Sequence, residues 1–398
     1  MIKKINLSVQ KIILSLTLAL ISTNLLISST PPPSILFVQL ANGWSGVPQS
    51  TASLYKALLH DGYPVHFLLA KGSITQKLFA LEQVPYFSCK NTQPETVYKA
   101  VDTLCSQRKF DIIHLNWPEH LAPIVSEAAK KYGAKTLLTC HFSVIPPRDN
   151  LSPCDFISAV NLNQIETIVA MDQHRNKKTI FFTPPVYDET RFINFYPQYG
   201  RKEFFKKFFG RTVTDDTLVI STIAVLFPGK NHVCLMRAVQ QIKHTMNRNV
   251  KLIFAGDGPL KKQLLAFGKE LGIDKNIHFL GHTDKIPEIL YYSDINVLPS
   301  RMESFGIAII EAALMRKPII ISNAIPAANM IIINEKTGLL FKDNDHNDLA
   351  VQLKRFIENH EFGRRMGQNA YEHVLRNFAS RVSVERYKEV FNAIGGSS

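Results

Sequence analysis

From Ser34 onward, short apolar runs rich in β-branched residues alternate with amphipathic stretches of helical period. That alternation confines the chain to parallel sheets joined by crossover helices. In the first half the runs are 35–40, 65–69, 111–115, 135–140, 156–160 and 179–183, with helical stretches near 48–60, 74–82, 95–108, 119–132 and 162–170. The pattern breaks at Thr183-Pro184-Pro185 and turns polar, aromatic and basic to about residue 217. A second series follows, with strands expected at 218–224, 250–255, 277–280, 295–298, 318–321 and 339–341. Helical stretches at 347–359, 361–376 and 380–394 close the chain. The expected fold class is α/β, two Rossmann-like domains with an intervening cleft. The expected divisions are 1–33, an appendage; 34–190, the first domain; 191–217, a linker with a basic aromatic helix; 218–380, the second domain; and 381–398, a final helix crossing back to the first domain. Sheets of this kind bind ligands at the carboxyl ends of their strands, so the loops there are where chemistry is sought.

Composition narrows the partners. The net charge of +13 is local: +9 falls within 191–398, and five of those nine lie in 191–211, where Arg191, Arg201, Lys202, Lys206, Lys207 and Arg211 outnumber Glu203. No zinc-finger spacing, RNP-like aromatic run or long basic block accompanies it, so nucleic acid is not expected as a partner. Stretch 201–209 is expected to be a helix packing its phenylalanines on the second domain, the alternative being a membrane-facing amphipathic helix. Five dispersed cysteines without a CxxC suit buried thiols better than a disulfide framework.

Lys3, Lys4 and Lys11 precede an apolar stretch, 12–27, that Pro31-Pro32-Pro33 ends. The stretch is shorter than the ~20 residues of a membrane span and carries Ser15, Thr17, Ser22, Thr23 and Asn24. Residues 1–33 are read as a targeting or membrane-anchor segment. Membrane association is expected, the cytoplasmic face is favoured, and cleavage is left open.

Three loops have the chemistry of an anion site. Gly256-Asp257-Gly258-Pro259 follows an apolar strand and opens a helix, where glycines let a ligand approach backbone N–H groups. Lys230, in Phe227-Pro228-Gly229-Lys230-Asn231, places a cation at the entry to the next helix. The densest constellation runs from Ser300 to Glu311. Glu303 and Glu311 are eight residues apart, ~12 Å along a helix, too far to share one proton or metal but suited to the two ends of an extended ligand. Ser304 as a cap and Gly306 as a point of close approach suit a diphosphate between them. Asp343-Asn344-Asp345-His346 has a metal-like DxD pattern, but its place between a strand and a helix reads as a turn and N-cap. His114 and His120 lack the spacing of a helical metal pair, so no metal is assigned.

From Ile220 to about Ala350 the chain resembles the retaining glycosyltransferases of family four, the group-one transferases of the GT-B fold. The resemblance rests on Ala255-Gly256-Asp257-Gly258-Pro259, Phe279-Leu280-Gly281-His282, Tyr292 through Ser300, the E-x7-E of Glu303 and Glu311, Lys317-Pro318-Ile319-Ile320 and Thr337-Gly338-Leu339-Leu340. In the first half, Asp111-Ile112-Ile113-His114 and Thr139-Cys140-His141-Phe142 match more faintly.

The resemblance implies a carbohydrate-biosynthetic transferase that takes a nucleotide diphosphate-sugar as donor and a glycan or lipid-linked acceptor, with no cofactor and no metal. It implies catalytic roles for Lys230 at the diphosphate, Glu303 at the donor sugar's hydroxyls, and His141 approaching that sugar from the other domain. Donor binding falls to Glu311 at the ribose, to Gly256, Gly258, Ser304, Phe305 and Gly306, and to Leu280 and His282 beside the base. The sequence departs where the family has an arginine five residues before the lysine, here Val225, leaving Arg301 or His282 as replacements. Arg316 stands where the family has a small residue before the Lys-Pro pair, and the glycine pair after the next strand is lost in 324–328. These departures support an alternative, a degenerate GT-B protein that binds nucleotide or glycan without efficient turnover. A third class, an epimerase or phosphorylase on the same fold, finds no recognisable lysine setting for pyridoxal phosphate.

Overall fold

The computed structural model describes residues 31–40, 46–81, 83–141, 145–172, 179–210 and 213–396. The N-terminal basic and apolar segment lies outside them. Among the described residues no helix is long and apolar enough to cross a membrane.

From Pro33 the chain forms one compact unit around two parallel sheets. The first has seven strands, β1 (Ile35–Gln39), β2 (Val65–Ala70), β3 (Phe87–Cys89), β4 (Ile112–Trp117), β5 (Lys135–Cys140), β6 (Phe156–Ala159) and β7 (Ile180–Phe182), in the order β3-β2-β1-β4-β5-β6-β7. The second has six, β8 (Leu218–Ile223), β9 (Val250–Ala255), β10 (Ile277–Gly281), β11 (Ile295–Leu298), β12 (Ile319–Ser322) and β13 (Leu339–Phe341), in the order β10-β9-β8-β11-β12-β13. The edge strand β3, only three residues long and half-exposed, is the one strand that the apolar pattern does not announce.

Helices cover both faces, which is why the strands read as continuous apolar runs. Along β1, Leu36 and Val38 enter one core while Ile35 and Phe37 enter the other. That second core is closed by the helix Ser380–Gly395, whose Val384, Tyr387, Phe391 and Ile394 fall on one stripe and pack with Ile35, Phe37 and Phe67. The chain thus crosses twice between its halves, at about 184–190 and 378–380. The crossings are tied together: Tyr187 donates its hydroxyl to the Phe378 carbonyl at 2.9 Å, Ser380 N donates to Glu189 Oε2 at 2.8 Å, and Ser380 Oγ donates to the Tyr187 carbonyl.

Stretch Arg201–Phe209 is helical and belongs to the second half. Phe204 and Phe205 are buried with Val219, Ile253, Ile289 and Tyr292, and Arg201 pairs with Asp294 at 2.6 Å. Two of its four phenylalanines are therefore core. All five cysteines are buried and free.

Candidate active site at the carboxyl edge of the second sheet

Lys230 lies on the loop after β8 and Glu303 on the loop after β11, the two neighbouring strands at which the order of the second sheet reverses. Crossovers leave such a pair on opposite sides, so a crevice opens outside its carboxyl ends. Across it Lys230 Nζ donates to Glu303 Oε2, the two side chains 19% and 21% exposed. The loops are zipped by backbone: the N–H groups of Arg301 and Met302 donate to the Gly229 carbonyl at 2.9 and 3.1 Å.

Helix Ile307–Leu314 starts later than the Ser300–Glu311 motif suggests. Its N-cap is Gly306 in the left-handed region, φ +94, and no side chain caps it, so the expected cap role of Ser304 is not taken up. Glu303 therefore precedes the helix, and only Glu311 rides on it. Phe305, expected at the donor, is 3% exposed and stacks edge-on against Phe378; its side chain is core, and only its backbone faces the loop. Ser304 instead serves the junction of the halves, where its carbonyl accepts from Asn161 Nδ2 at 2.7 Å.

Gly256 and Gly258 also take a role other than the one expected. A Cβ on Gly256 would stand 2.0 Å from the Ala224 carbonyl oxygen, and one on Gly258 2.5 Å from that of Leu226. The room that these glycines provide is filled by the chain's own loop 224–226, locked by Leu226 N to the Asp257 carbonyl at 3.0 Å. They hold the Lys230 loop in place. Gly256 N also donates to the Gly281 carbonyl at 2.9 Å, bringing the Leu280–His282 stretch alongside. Leu280 is half-buried against the Phe204 core, while His282 is exposed.

Glu311 is partly exposed, and burial pushes its carboxyl up to about 7, with the Arg191 guanidinium pulling the other way. Arg191 itself donates to the Asp284 carbonyl at 2.8 Å, bridging toward the loop after β10. Val225 is 56% exposed. Arg301, a possible replacement for the missing arginine, is turned to Asp343, its Nε 3.2 Å from Oδ2. Asp345 caps the helix His346–Glu358, accepting from the N–H groups of Asn347 and Asp348, in keeping with the turn reading of the DxD pattern.

The first sheet reverses between β1 and β4, and polar side chains collect at that reversal too. His141, just past β5, has Nε2 3.2 Å from Asn116 Oδ1; with a carbonyl oxygen as partner, Nε2 carries the proton. Burial pushes His141 down to about 4, so it is a neutral imidazole near pH 7. Asn116 Nδ2 and both polar atoms of Gln39 are buried with no partner among the described residues. No hydrogen bond or ion pair joins His141 to Lys230, Glu303 or Glu311 among the described residues; the two carboxyl edges meet at Asn161 and Ser304.

Sequence reasoning missed Gln39, Asn116, Asn161 and Arg191. Only Asn161 carried a signal: Asn161 and Gln164 form a reciprocal capping box at the helix Leu162–Met171, recognisable as Asn-x-x-Gln.

Comparison with known proteins agrees with this geometry. Residues 203–373 match the family described as glycosyl transferases group 1. The chain is 22% identical over 373 residues to N-acetyl-alpha-D-glucosaminyl L-malate synthase of Bacillus anthracis, covering 88% of this chain and 93% of that protein. Among solved structures, a glycosyltransferase from Rickettsia africae superposes with a TM-score of 0.81 at 20% identity, over 93% of this chain and all of that one. Anabaena HepE in complex with UDP and glucose superposes with a TM-score of 0.77 at 17% identity, over 91% of this chain and all of that one. Two parallel Rossmann-like sheets in this arrangement are the GT-B fold, and the match to the group 1 glycosyl transferases spans the second of them, residues 203–373.

Proposed function

We propose that the protein is a retaining glycosyltransferase that moves a sugar from a nucleoside diphosphate-sugar to a hydroxyl of a glycan or lipid-linked acceptor. The observation that carries this reading is the Lys230–Glu303 pair at the sheet reversal, directly ahead of the first turn of helix Ile307–Leu314, which no side chain caps. Without ligand the two charges satisfy each other. A diphosphate entering the crevice offers Lys230 a second anion, and the N–H groups of the first helical turn add positive potential for it. Glu303 is then released to accept from hydroxyls of the donor sugar, while Glu311 faces the ribose. The bond from the anomeric carbon to the diphosphate breaks as the bond to the acceptor oxygen forms on the same face, and the departing phosphate takes the acceptor's proton. Lys230 acts most strongly as charge builds on that phosphate. Neutral His141 approaches the sugar from the first domain. The scheme invokes no cofactor and no metal.

Glu311→Ala should weaken nucleoside diphosphate and intact donor alike, by ~1 to 3 kcal/mol for a lost charged hydrogen bond. Glu303→Ala should spare nucleoside diphosphate binding while turnover falls. Lys230→Ala should lower turnover more than ground-state binding. Calorimetry with UDP and donor-hydrolysis rates for the three variants test this together. Donor binding without turnover in the parent would favour a degenerate binder. Parent-like behaviour of both glutamate variants would remove the site.

The basic and apolar residues at 1–33 support membrane association as a surface anchor on the cytoplasmic face, where nucleotide-sugars are supplied; a true span would instead put the domains outside by the positive-inside rule. Fractionation of full-length and Δ1–33 proteins is the test, and equal solubility would remove the anchor.

A further inference from the structure

The amino edge of the second sheet, the end opposite Lys230 and Glu303, holds a basic hollow. Two adjoining concavities of about 530 and 460 Å³ share Arg316 and Arg364 in their walls. Lys317 and Arg365 add two more cations, while of the wall's two carboxylates Asp294 is engaged from outside the hollow and Glu361 offsets Arg364 within it, leaving a net positive wall. Asp294 is held by Arg201 at 2.6 Å, and Glu361 by Arg364. Arg316 and Arg365 have no carboxylate partner among the described residues.

Arg316 sits at φ +54, in the left-handed region where a Cβ is disfavoured and glycine is the ordinary choice. Its guanidinium is nonetheless positioned, Nε donating to Gln368 Oε1 at 3.1 Å and the group lying 3.8 Å from the centre of the Tyr371 ring. Gly367 makes the close approach possible, since a Cβ there would stand 2.2 Å from the Arg316 carbonyl oxygen. Backbone strain thus maintains a cation that is oriented by neutral partners and keeps its charge uncompensated. Strain held in this way marks a site more readily than an arginine on a relaxed surface would.

We propose that this hollow is a second anion site, which binds the phosphate groups of a polyanionic ligand through Arg316, Arg364 and Arg365. Planar guanidinium forks match phosphate oxygens in pairs, and three around one hollow suit a compound bearing more than one phosphate charge. Because Arg316 follows helix Ile307–Leu314 while Gly306 opens it, the two anion sites lie at opposite ends of one helix, ~12 Å apart along its axis. The assignment does not depend on the transferase reading.

The shared chemistry admits a free polyphosphate compound or a phospholipid headgroup, and two probes separate them. Full-length protein is titrated calorimetrically with inorganic tripolyphosphate, and sedimented with phosphatidylglycerol vesicles, at about 0.15 M salt so that diffuse attraction is screened. The variants are Arg316→Gly, which suits the local φ and so should fold at least as well as the parent, and Arg364→Gln. Tripolyphosphate binding weakened by ~10-fold in each variant, with UDP binding unchanged, is the expected result for a lost charge-assisted contact. Vesicle binding with the same arginine dependence, in place of tripolyphosphate binding, identifies a headgroup in the same hollow. Absence of both, equal binding by parent and variants, or displacement of tripolyphosphate by UDP in a one-to-one exchange would overturn the proposal.

Discussion

Glu311 changes charge within the range where the protein is handled. Its folded carboxyl lies at about 7 against an ordinary 4.5, so between those values the native state keeps a proton that the unfolded chain releases. Stability is therefore lost as pH rises from 4.5 to 7, by on the order of 2 to 3 kcal/mol. Glu311→Gln should match the parent at pH 4.5 and exceed it at pH 8 by ~2 to 3 kcal/mol in urea unfolding. A gap that does not vary with pH would assign the effect to packing instead. Val225 offers a complementary test, since it is exposed beside the Lys230 loop and leaves space for a longer side chain. Val225→Arg places a second cation near the departing phosphate, and ~1 kcal/mol of added stabilisation there would raise donor turnover about fivefold. The roles of Lys230 and Glu303 were legible because each follows a strand in a recognisable motif. Their mutual pairing was not, since 73 residues separate them and only the sheet order brings them together.

At the scale of elements, the glycine loops are the more informative case. The run Gly256-Asp257-Gly258 was legible as a strand-to-helix loop, but its neighbour 224–226 comes from another strand, and sequence carries no record of which backbone fills the space. Gly258→Ala should cost more than ~2 kcal/mol, because its Cβ would overlap the Leu226 carbonyl, a fixed backbone group. Urea unfolding measures that cost, and a loss below ~0.5 kcal/mol would show that the loop yields. The strands themselves were legible almost throughout, since burial on both faces leaves continuous apolar runs. Strand β3 escaped because an edge position of three half-exposed residues needs no such run. The start of helix Ile307–Leu314 escaped because Ser304, though a favoured cap type, is drawn to the other domain by Asn161.

For the molecule as a whole, three buried imidazoles oppose the trend of Glu311. Burial holds His114 at about 3 and His141 and His232 at about 4, so below pH 6.5 the unfolded chain takes up protons that the native state refuses. Stability should fall steeply as pH drops from 6.5 toward 4, at up to ~1.4 kcal/mol per pH unit for each histidine. His232 packs edge-on against Phe254, so His232→Phe should keep the shape and flatten the acid limb of the urea midpoint against pH. An unchanged slope would exclude His232 from the acid response. The helix Ser380–Gly395 also belongs to this scale, because it closes a core whose other walls are β1, β2 and the helix Gly46–His60. On a ribosome those walls emerge some 300 residues before their cover, an interval of roughly 15 to 60 s at ordinary elongation rates of 5 to 20 residues per second. Through that interval Phe37, Phe67 and the ring of Tyr55 lack the cover of that helix, and the nascent first domain presents an apolar face to solvent. The half made first is thus the half completed last, and slower translation lengthens the time for which its apolar face stays uncovered.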